Sequence, residues 1–126
     1  MIGAIAGDMI GSPYESHPIK TVNFPTRVSD FTDDTVLTIA VANAILTGID
    51  YGRSLKSFAR KHPNLPYGAS FRHWIWKAGT RPYNSYGNGA AMRVSPVGFA
   101  YETMEDVLSQ ARQSTEISLD QYRCEF

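Results

Sequence analysis

Two neighbouring carboxylates are the residues of this sequence best suited to chemistry. Asp33 and Asp34 lie between the hydroxyl residues Thr32 and Thr35. Carboxylate and hydroxyl oxygens are the hard ligands that Mg²⁺ and Mn²⁺ prefer. The same tetrapeptide is also typical of an ordinary helix start, with Thr32 as the N-cap and both carboxylates near the positive end of the helix dipole. Taken alone, the tetrapeptide favours the helix start and leaves the metal site open.

A glycine-rich segment is the second candidate. Gly87, Asn88 and Gly89 precede a helical stretch that contains Arg93. Glycines before a helix expose backbone N–H groups that can hold a phosphate, and a nearby arginine supplies a positive charge. In isolation, an ordinary glycine-rich turn is the simpler interpretation.

The remaining reactive residue types offer less. Asp8 and Glu15 would be surface acids in most proteins, and the three histidines lack the spacing of metal ligands. No serine lies in a nucleophile-elbow pattern, and Cys124 has no activating neighbours. Any chemistry is therefore expected to be metal-assisted.

The elements that must position these residues begin with a glycine-rich N-terminal helix. Gly3, Gly7 and Gly11 recur every four residues and line one face of this predicted helix. Glycine costs about 1 kcal/mol relative to alanine inside a helix, so we expect close packing of another backbone against this face. A loop of about twenty residues is predicted over 12–31, a length that is usually functional or disordered.

Three further helices are predicted in the middle of the chain. An apolar run over 36–46 indicates a buried central helix that ends at Gly48. Short helices are predicted over 54–62, before Pro63, and over 69–78, before Gly79.

The last third of the chain contains one uncertain segment and one clear helix. Residues 81–89 are polar and predict a loop. Pro96 interrupts the helical pattern of 90–101, which leaves a kinked helix and two short turns as alternatives. Thr103 resembles an N-cap of a final helix, whose predicted apolar stripe is Val107, Leu108, Ala111 and Ile117. No strand pair is predicted.

Composition sets limits on the class of protein. The 126 residues fit a single domain over 1–126, and 43% hydrophobic with 19% charged residues is ordinary for a globular protein. Twelve basic and twelve acidic residues give no net charge, so a nucleic-acid partner is not expected. The apolar run is too short to span a membrane, and the N-terminus lacks the basic flank of a secretory signal. A single cysteine suits a reducing cytoplasm.

Three blocks in order resemble the ADP-ribosylglycohydrolase family, which includes the dinitrogenase-reductase-activating glycohydrolases. They are Gly3-x3-Gly7-Asp8-x2-Gly11-x3-Glu15, Phe31-Thr32-Asp33-Asp34-Thr35 and Gly87-Asn88-Gly89-Ala90-Ala91-Met92-Arg93-Val94-Ser95-Pro96. The resemblance extends over roughly residues 1–115 and is specific in these blocks, which outweighs the ordinary interpretations given above for each block.

The resemblance implies an all-α fold, an orthogonal helical bundle, with Mg²⁺ or Mn²⁺ at the base of a cleft. It implies hydrolysis of the bond between ADP-ribose and an acceptor group. By match, the metal ligands would be Thr32, Asp33 and Asp34, and the catalytic residues would be Glu15, Asp33 and Asp34. The residues lining the ADP-ribose pocket would be Gly87, Asn88, Gly89 and Arg93.

The sequence also departs from the family. A second Asp-x-Asp-Thr motif, which supplies the family's other metal ligands, does not occur, and residues 118–126 replace a Thr-His-x-His-Pro motif or a near variant of it. We therefore expect a truncated N-terminal part with about half of the metal site. One hypothesis is a hydrolase completed by a homo-oligomer or a complementing C-terminal fragment. The alternatives are a catalytically inactive ADP-ribose or metal-binding remnant and a helical oligomer without a ligand.

Overall fold

The computed structural model describes residues 1–16 and 29–118, and this part of the chain contains seven α-helices, one 3-10 turn and no β-strand. The elements are α1 Ile2–Gly11, the 3-10 turn Ser12–Tyr14, α2 Asp33–Thr47, α3 Tyr51–Lys61, α4 Ala69–Trp74, α5 Gly89–Met92, α6 Ser95–Ala100 and α7 Met104–Glu116. The prediction of an all-α helical bundle is confirmed. No described helix is both long enough and apolar enough to cross a membrane.

Helix α2 is the centre of the bundle. Its buried side chains include Leu37, Val41 and Ala44, and the helix packs against α1, α3, α5 and α6. The hydroxyl of Thr32 accepts a hydrogen bond from the Asp34 backbone N–H at 3.2 Å, which caps the first turn. Gly48 has a φ of 69° and ends the helix in the left-handed conformation that glycine tolerates. The predicted central helix and its glycine stop are confirmed.

Helices α3 and α4 differ from the prediction at their ends. Helix α3 begins at Tyr51 rather than residue 54, because the Asp50 carboxylate accepts from the Arg53 N–H at 2.9 Å and caps an earlier turn. Helix α4 ends at Trp74, four residues earlier than predicted. Beyond its end, the carbonyl of Lys77 accepts from Lys56 Nζ of α3 at 2.6 Å. This carbonyl bonds to a side chain of another helix instead of continuing α4.

The segment with Pro96 forms two short helices, so the kinked-helix alternative is wrong. Helix α5 ends at Met92 and α6 begins at Ser95, with Pro96 in its first turn, where a missing N–H costs little. In α7 the Thr103 cap is confirmed, since its hydroxyl accepts from the Asp106 N–H at 3.1 Å. Leu108 is 62% exposed, and its place in the predicted apolar stripe is wrong. Successive side chains of a helix point about 100° apart, so the neighbouring Val107 faces the core while Leu108 faces solvent.

An aromatic cluster holds the polar loop of residues 81–88 against α4. The rings of Phe71, Trp74 and Tyr83 pack with centroids 5.2 to 5.8 Å apart. The indole N–H of Trp74 donates to the carbonyl of Arg81 at 2.8 Å. These contacts fix the loop that leads into the glycine-rich segment.

The glycine face of α1 is open, which contradicts the expected close packing. Within the described residues, no atom outside the helix lies within 4 Å of a Cβ placed at Gly3, Gly7 or Gly11. Gly7 and Gly11 instead line a pocket of about 350 Å³ between α1 and α2. The long loop predicted over 12–31 begins with the 3-10 turn, and most of it lies outside the described residues.

Candidate metal and ligand site

A cleft of about 610 Å³ brings together residues from the three sequence blocks. The predicted residues that line it are Glu15, Asp33, Asp34, Gly87, Asn88, Gly89 and Arg93. Thr32, the eighth predicted site residue, is buried at the start of α2 and is not part of the cleft wall. Positions more than fifty residues apart in sequence therefore face one space.

Asp8 of α1 fixes the start of α2. Its Oδ2 atom accepts hydrogen bonds from the Thr32 N–H at 2.7 Å, the Thr35 N–H at 3.2 Å and the Thr35 hydroxyl at 2.6 Å. Its Oδ1 atom accepts from the Thr32 hydroxyl at 2.6 Å. Hydrogen bonds to a carboxylate are among the stronger ones in proteins. One side chain thus sets the position of the turn that carries Asp33 and Asp34.

Sequence reasoning did not assign a role to Asp8. A signal was present, since Asp8 is the one acidic residue of the otherwise apolar helix α1 and lies within the first family-like block. Its partners lie 24 and 27 residues away, and no spacing rule connects positions that far apart.

Negative charge accumulates at this end of the cleft. One carboxylate oxygen each of Asp8, Glu15 and Asp34 lies within 4.8 Å of the others. Burial and, after it, the charges of Asp34 and Glu15 together raise the pKa of Asp33 to about 6. Burial also raises the pKa of Glu15, with the charges of Asp34 and Asp8 acting in the same direction. A divalent cation would relieve this repulsion.

The oxygens of this cluster fit a hard divalent cation, although they differ in availability. Asp8 already accepts hydrogen bonds from Thr32 and Thr35, so its oxygens are less available to a cation than those of Glu15 and Asp34. Glu15 and Asp34 present their carboxylates to the cleft. The Thr32 hydroxyl donates to Asp8 and accepts from the Asp34 N–H, which leaves it one lone pair. Asp33 lines the cleft but lies outside the three-carboxylate cluster.

The opposite wall is the glycine-rich segment. The Gly87 N–H donates to the Ser85 hydroxyl at 3.1 Å, so this amide is not free for a phosphate. The Ser85 N–H donates to the carbonyl of Ser118 at 2.6 Å, which ties the loop to the end of α7. The loop is therefore held in place before any ligand binds.

Arg93 reaches the cleft from inside the protein. It is 1% exposed, and its Nη2 donates to the Ser118 hydroxyl at 2.6 Å. Its Nε and Nη1 have no hydrogen-bond partner among the described residues. Burial lowers the pKa of the guanidinium, and the nearby Tyr83 opposes this shift. Arg93 thus anchors α7, and its contact with a ligand stays a prediction.

Comparison with known proteins assigns the chain to a family. The sequence model of the ADP-ribosylglycohydrolase family matches residues 1–125. The chain belongs to the ADP-ribosylglycohydrolase family. Members of this family are metal-dependent hydrolases, and Asp8, Glu15 and Asp34 form a candidate metal-binding triad in this chain.

Curated relatives of this chain include the ADP-ribosylhydrolase ARH3 of three vertebrates. The Xenopus tropicalis protein is 27% identical over 90% of the chain and 42% of its own length. The Mus musculus protein is 27% identical over 94% of the chain and 42% of its own length. The Homo sapiens protein is 26% identical, with 94% and 43% covered. The chain thus spans about two fifths of the length of these relatives. A search of solved structures finds no significant match.

Proposed function

We propose that this chain contributes to an Mg²⁺-dependent ADP-ribosylglycohydrolase that removes ADP-ribose from a modified acceptor, with the rest of the metal site supplied by a homo-oligomer or a complementing C-terminal fragment. The observation that carries the proposal is the cleft of about 610 Å³, in which Glu15, Asp33 and Asp34 face the glycine-rich segment that ends at Arg93. An acidic end and a basic end within one cleft suit a ligand that has a ribose near the metal and a pyrophosphate farther away. The single cysteine of the sequence fits a cytoplasmic enzyme.

Each group has a proposed role. Thr32, Asp33 and Asp34 would hold Mg²⁺ or Mn²⁺, and Asp8 keeps their turn in place by accepting hydrogen bonds from Thr32 and Thr35. A bound cation would supply a site for the ribose hydroxyls and would lower the pKa of a water molecule. Gly87, Asn88, Gly89 and Arg93 contact the ADP-ribose.

Glu15 is the proposed acid–base residue. In the hydrolysis, the bond from the anomeric carbon to the acceptor breaks, the oxygen of water bonds to that carbon, and the acceptor leaves with a proton. A carboxylate near the attacking water can take the proton that the water loses. Glu15 lies at the cleft and has a raised pKa, which brings its proton affinity closer to neutral pH.

The test is release of free ADP-ribose from an ADP-ribosylated peptide, measured by chromatography with Mg²⁺ and with a chelator. We expect Mg²⁺-dependent release that Asp33→Asn and Glu15→Gln each lower by at least about a hundredfold, the usual loss for a group that acts on the reacting atoms. Glu105→Gln, at an exposed position of α7, is the matched control and should keep full activity. Equal release with the chelator, or by both active-site variants, would reject the proposal.

An inactive binding module is the second candidate. It is favoured by the donor set, because the described residues offer one three-carboxylate cluster, which is suited to a single cation. Calorimetry with ADP-ribose, with and without Mg²⁺, separates the candidates when it is run beside the turnover assay. Binding without turnover under conditions where the folded chain is intact supports the module, and turnover excludes it.

A further inference from the structure

A further pocket, of about 630 Å³, lies between α3 and the segment that follows α4. We call it the basic pocket, because its charged lining residues are Arg53, Lys56, Arg60 and Lys77 and no acidic residue of the described part of the chain lines it. It shares no lining residue with the candidate active-site cleft. The cleft uses the beginning of α4, whereas the basic pocket uses the chain beyond its end.

The positive charges converge because of helix geometry. Arg53, Lys56 and Arg60 are separated by three and four positions, which places them on one face of α3. Lys77 approaches this face from the segment after α4. The four charges are thus contributed by two elements that pack together, rather than by one solvated helix face.

Two of these cations have structural partners, and all of those partners are uncharged. Lys56 is 5% exposed, and its Nζ donates to the carbonyls of Lys77 at 2.6 Å and Gly79 at 2.5 Å. The same ammonium lies 4.3 Å from the centre of the Trp74 ring. Arg60 Nε donates to the carbonyl of Ile75 at 2.7 Å. These bonds satisfy N–H groups without neutralising the charge.

Holding the end of α4 explains Lys56 and Arg60, but it does not explain Arg53 and Lys77. Both of these side chains are exposed at the pocket. The nearby Asp50 carboxylate caps α3 through the Arg53 backbone N–H and does not line the pocket. Like charges held this close repel one another, and burial together with the charge of Arg60 lowers the pKa of Lys56. An anion of more than one charge is the ligand that this arrangement favours.

We propose that the basic pocket binds a phosphate-type anion, either inorganic pyrophosphate or the phosphate group of a nucleotide. A guanidinium group can donate two parallel hydrogen bonds to phosphate oxygens. The lysine ammonium groups attract the anion as point charges, without a preferred orientation. A single carboxylate would leave most of the positive charge uncompensated. This site is independent of the proposed hydrolase function, since none of its residues belongs to the cleft.

Calorimetry with inorganic pyrophosphate tests the proposal, with Arg53→Gln/Lys77→Gln compared to the folded wild-type chain. We expect saturable binding that the double variant weakens by about tenfold or more, because it removes the two cations that lack a structural task. Arg112→Gln/Lys61→Gln is the matched control, since it removes the same types and amount of charge from exposed positions outside the pocket. A parallel titration with AMP tells whether a nucleotide phosphate binds at the same place.

Each outcome has a defined meaning. Loss of pyrophosphate binding in the pocket variant alone supports the proposal, and dependence of AMP binding on the same residues extends it to nucleotides. Absence of saturable binding, equal weakening in both double variants, or unchanged binding in the pocket variant rejects it. Unchanged binding in the pocket variant would mean that pyrophosphate binds elsewhere on the chain. Titration of the same variants with ADP-ribose reports separately on the cleft.

Discussion

Asp33 combines burial with the repulsion of neighbouring carboxylates, and both effects make its charged form unfavourable. Asp34 and Glu15 are shifted in the same direction, by burial first and by carboxylate charge second. A site of this kind binds protons more readily than isolated carboxylates do. It also has the most to gain from a divalent cation, which removes the repulsion that raises each pKa.

This competition predicts a pH dependence of Mg²⁺ binding. With a pKa of about 6, Asp33 is charged at pH 7.5 and mostly protonated at pH 5.5. Lowering the pH therefore places a proton where the cation would bind, and the affinity should fall by about fourfold from this group alone. Calorimetric Mg²⁺ titrations at the two pH values measure the change. Equal affinities would show that no ligand of the cation changes its protonation between these pH values, which would contradict Asp33 as a ligand with a pKa of about 6.

At the scale of elements, the start of α2 depends on α1 through a single side chain. No residue of α1 is buried, yet Asp8 accepts four hydrogen bonds from the main chain and side chains of Thr32 and Thr35. The attachment of α1 is therefore mainly polar. On the opposite wall of the cleft, the aromatic cluster of Phe71, Trp74 and Tyr83 holds the loop of residues 81–88 against α4 by apolar contact.

Asp8→Asn should loosen this attachment. The amide keeps one acceptor oxygen and turns a donor toward hydroxyl and N–H groups, so buried polar groups of Thr32 and Thr35 lose their partner. We expect a loss of about 1 to 3 kcal/mol in the free energy of unfolding, measured in urea, and faster amide hydrogen exchange in α1.

The control for this variant is Glu105→Gln at an exposed position of α7, which should change stability by less than about 0.5 kcal/mol. Unchanged hydrogen exchange in α1 of Asp8→Asn would contradict the role assigned to Asp8. Reduced Mg²⁺ binding by Asp8→Asn is also expected, because the turn that carries Asp33 and Asp34 would lose its support.

At the scale of the whole molecule, apolar side chains are exposed on neighbouring elements. Phe99 of α6 is 78% exposed, and Met104 and Leu108 of α7 are 71% and 62% exposed. Met104 and Leu108 are four positions apart and share one side of α7. Exposed apolar residues on one side of a helix are typical of surfaces that contact another polypeptide. They support the expected homo-oligomer or pairing with a complementing fragment.

We predict that the chain self-associates through this side of α7. Met104→Gln/Leu108→Gln should lower the fraction of dimer or larger species seen by light scattering after size-exclusion chromatography, because it removes apolar area from the contact. Leu46→Gln, at an 85% exposed position on α2, is the control and should associate as the wild type does. A wild-type chain that stays monomeric over the accessible concentration range would contradict self-association.

The sequence by itself determined features that depend on neighbouring residues. Thr32 and Thr103 as N-caps and Gly48 as a left-handed helix end each involve atoms within four residues, so local patterns predicted them. The ordered family-like blocks also identified seven residues that line one cleft.

Only the tertiary structure decided features that depend on distant partners. The role of Asp8 arises from hydrogen bonds to residues 24 and 27 positions away. Helix α4 ends where side chains of α3 donate hydrogen bonds to the backbone carbonyls that follow it. The exposure of Leu108 and the open glycine face of α1 likewise follow from which helix packs against which. Local pattern fixes where a helix forms, whereas burial and pairing depend on the surfaces that the rest of the fold brings to it.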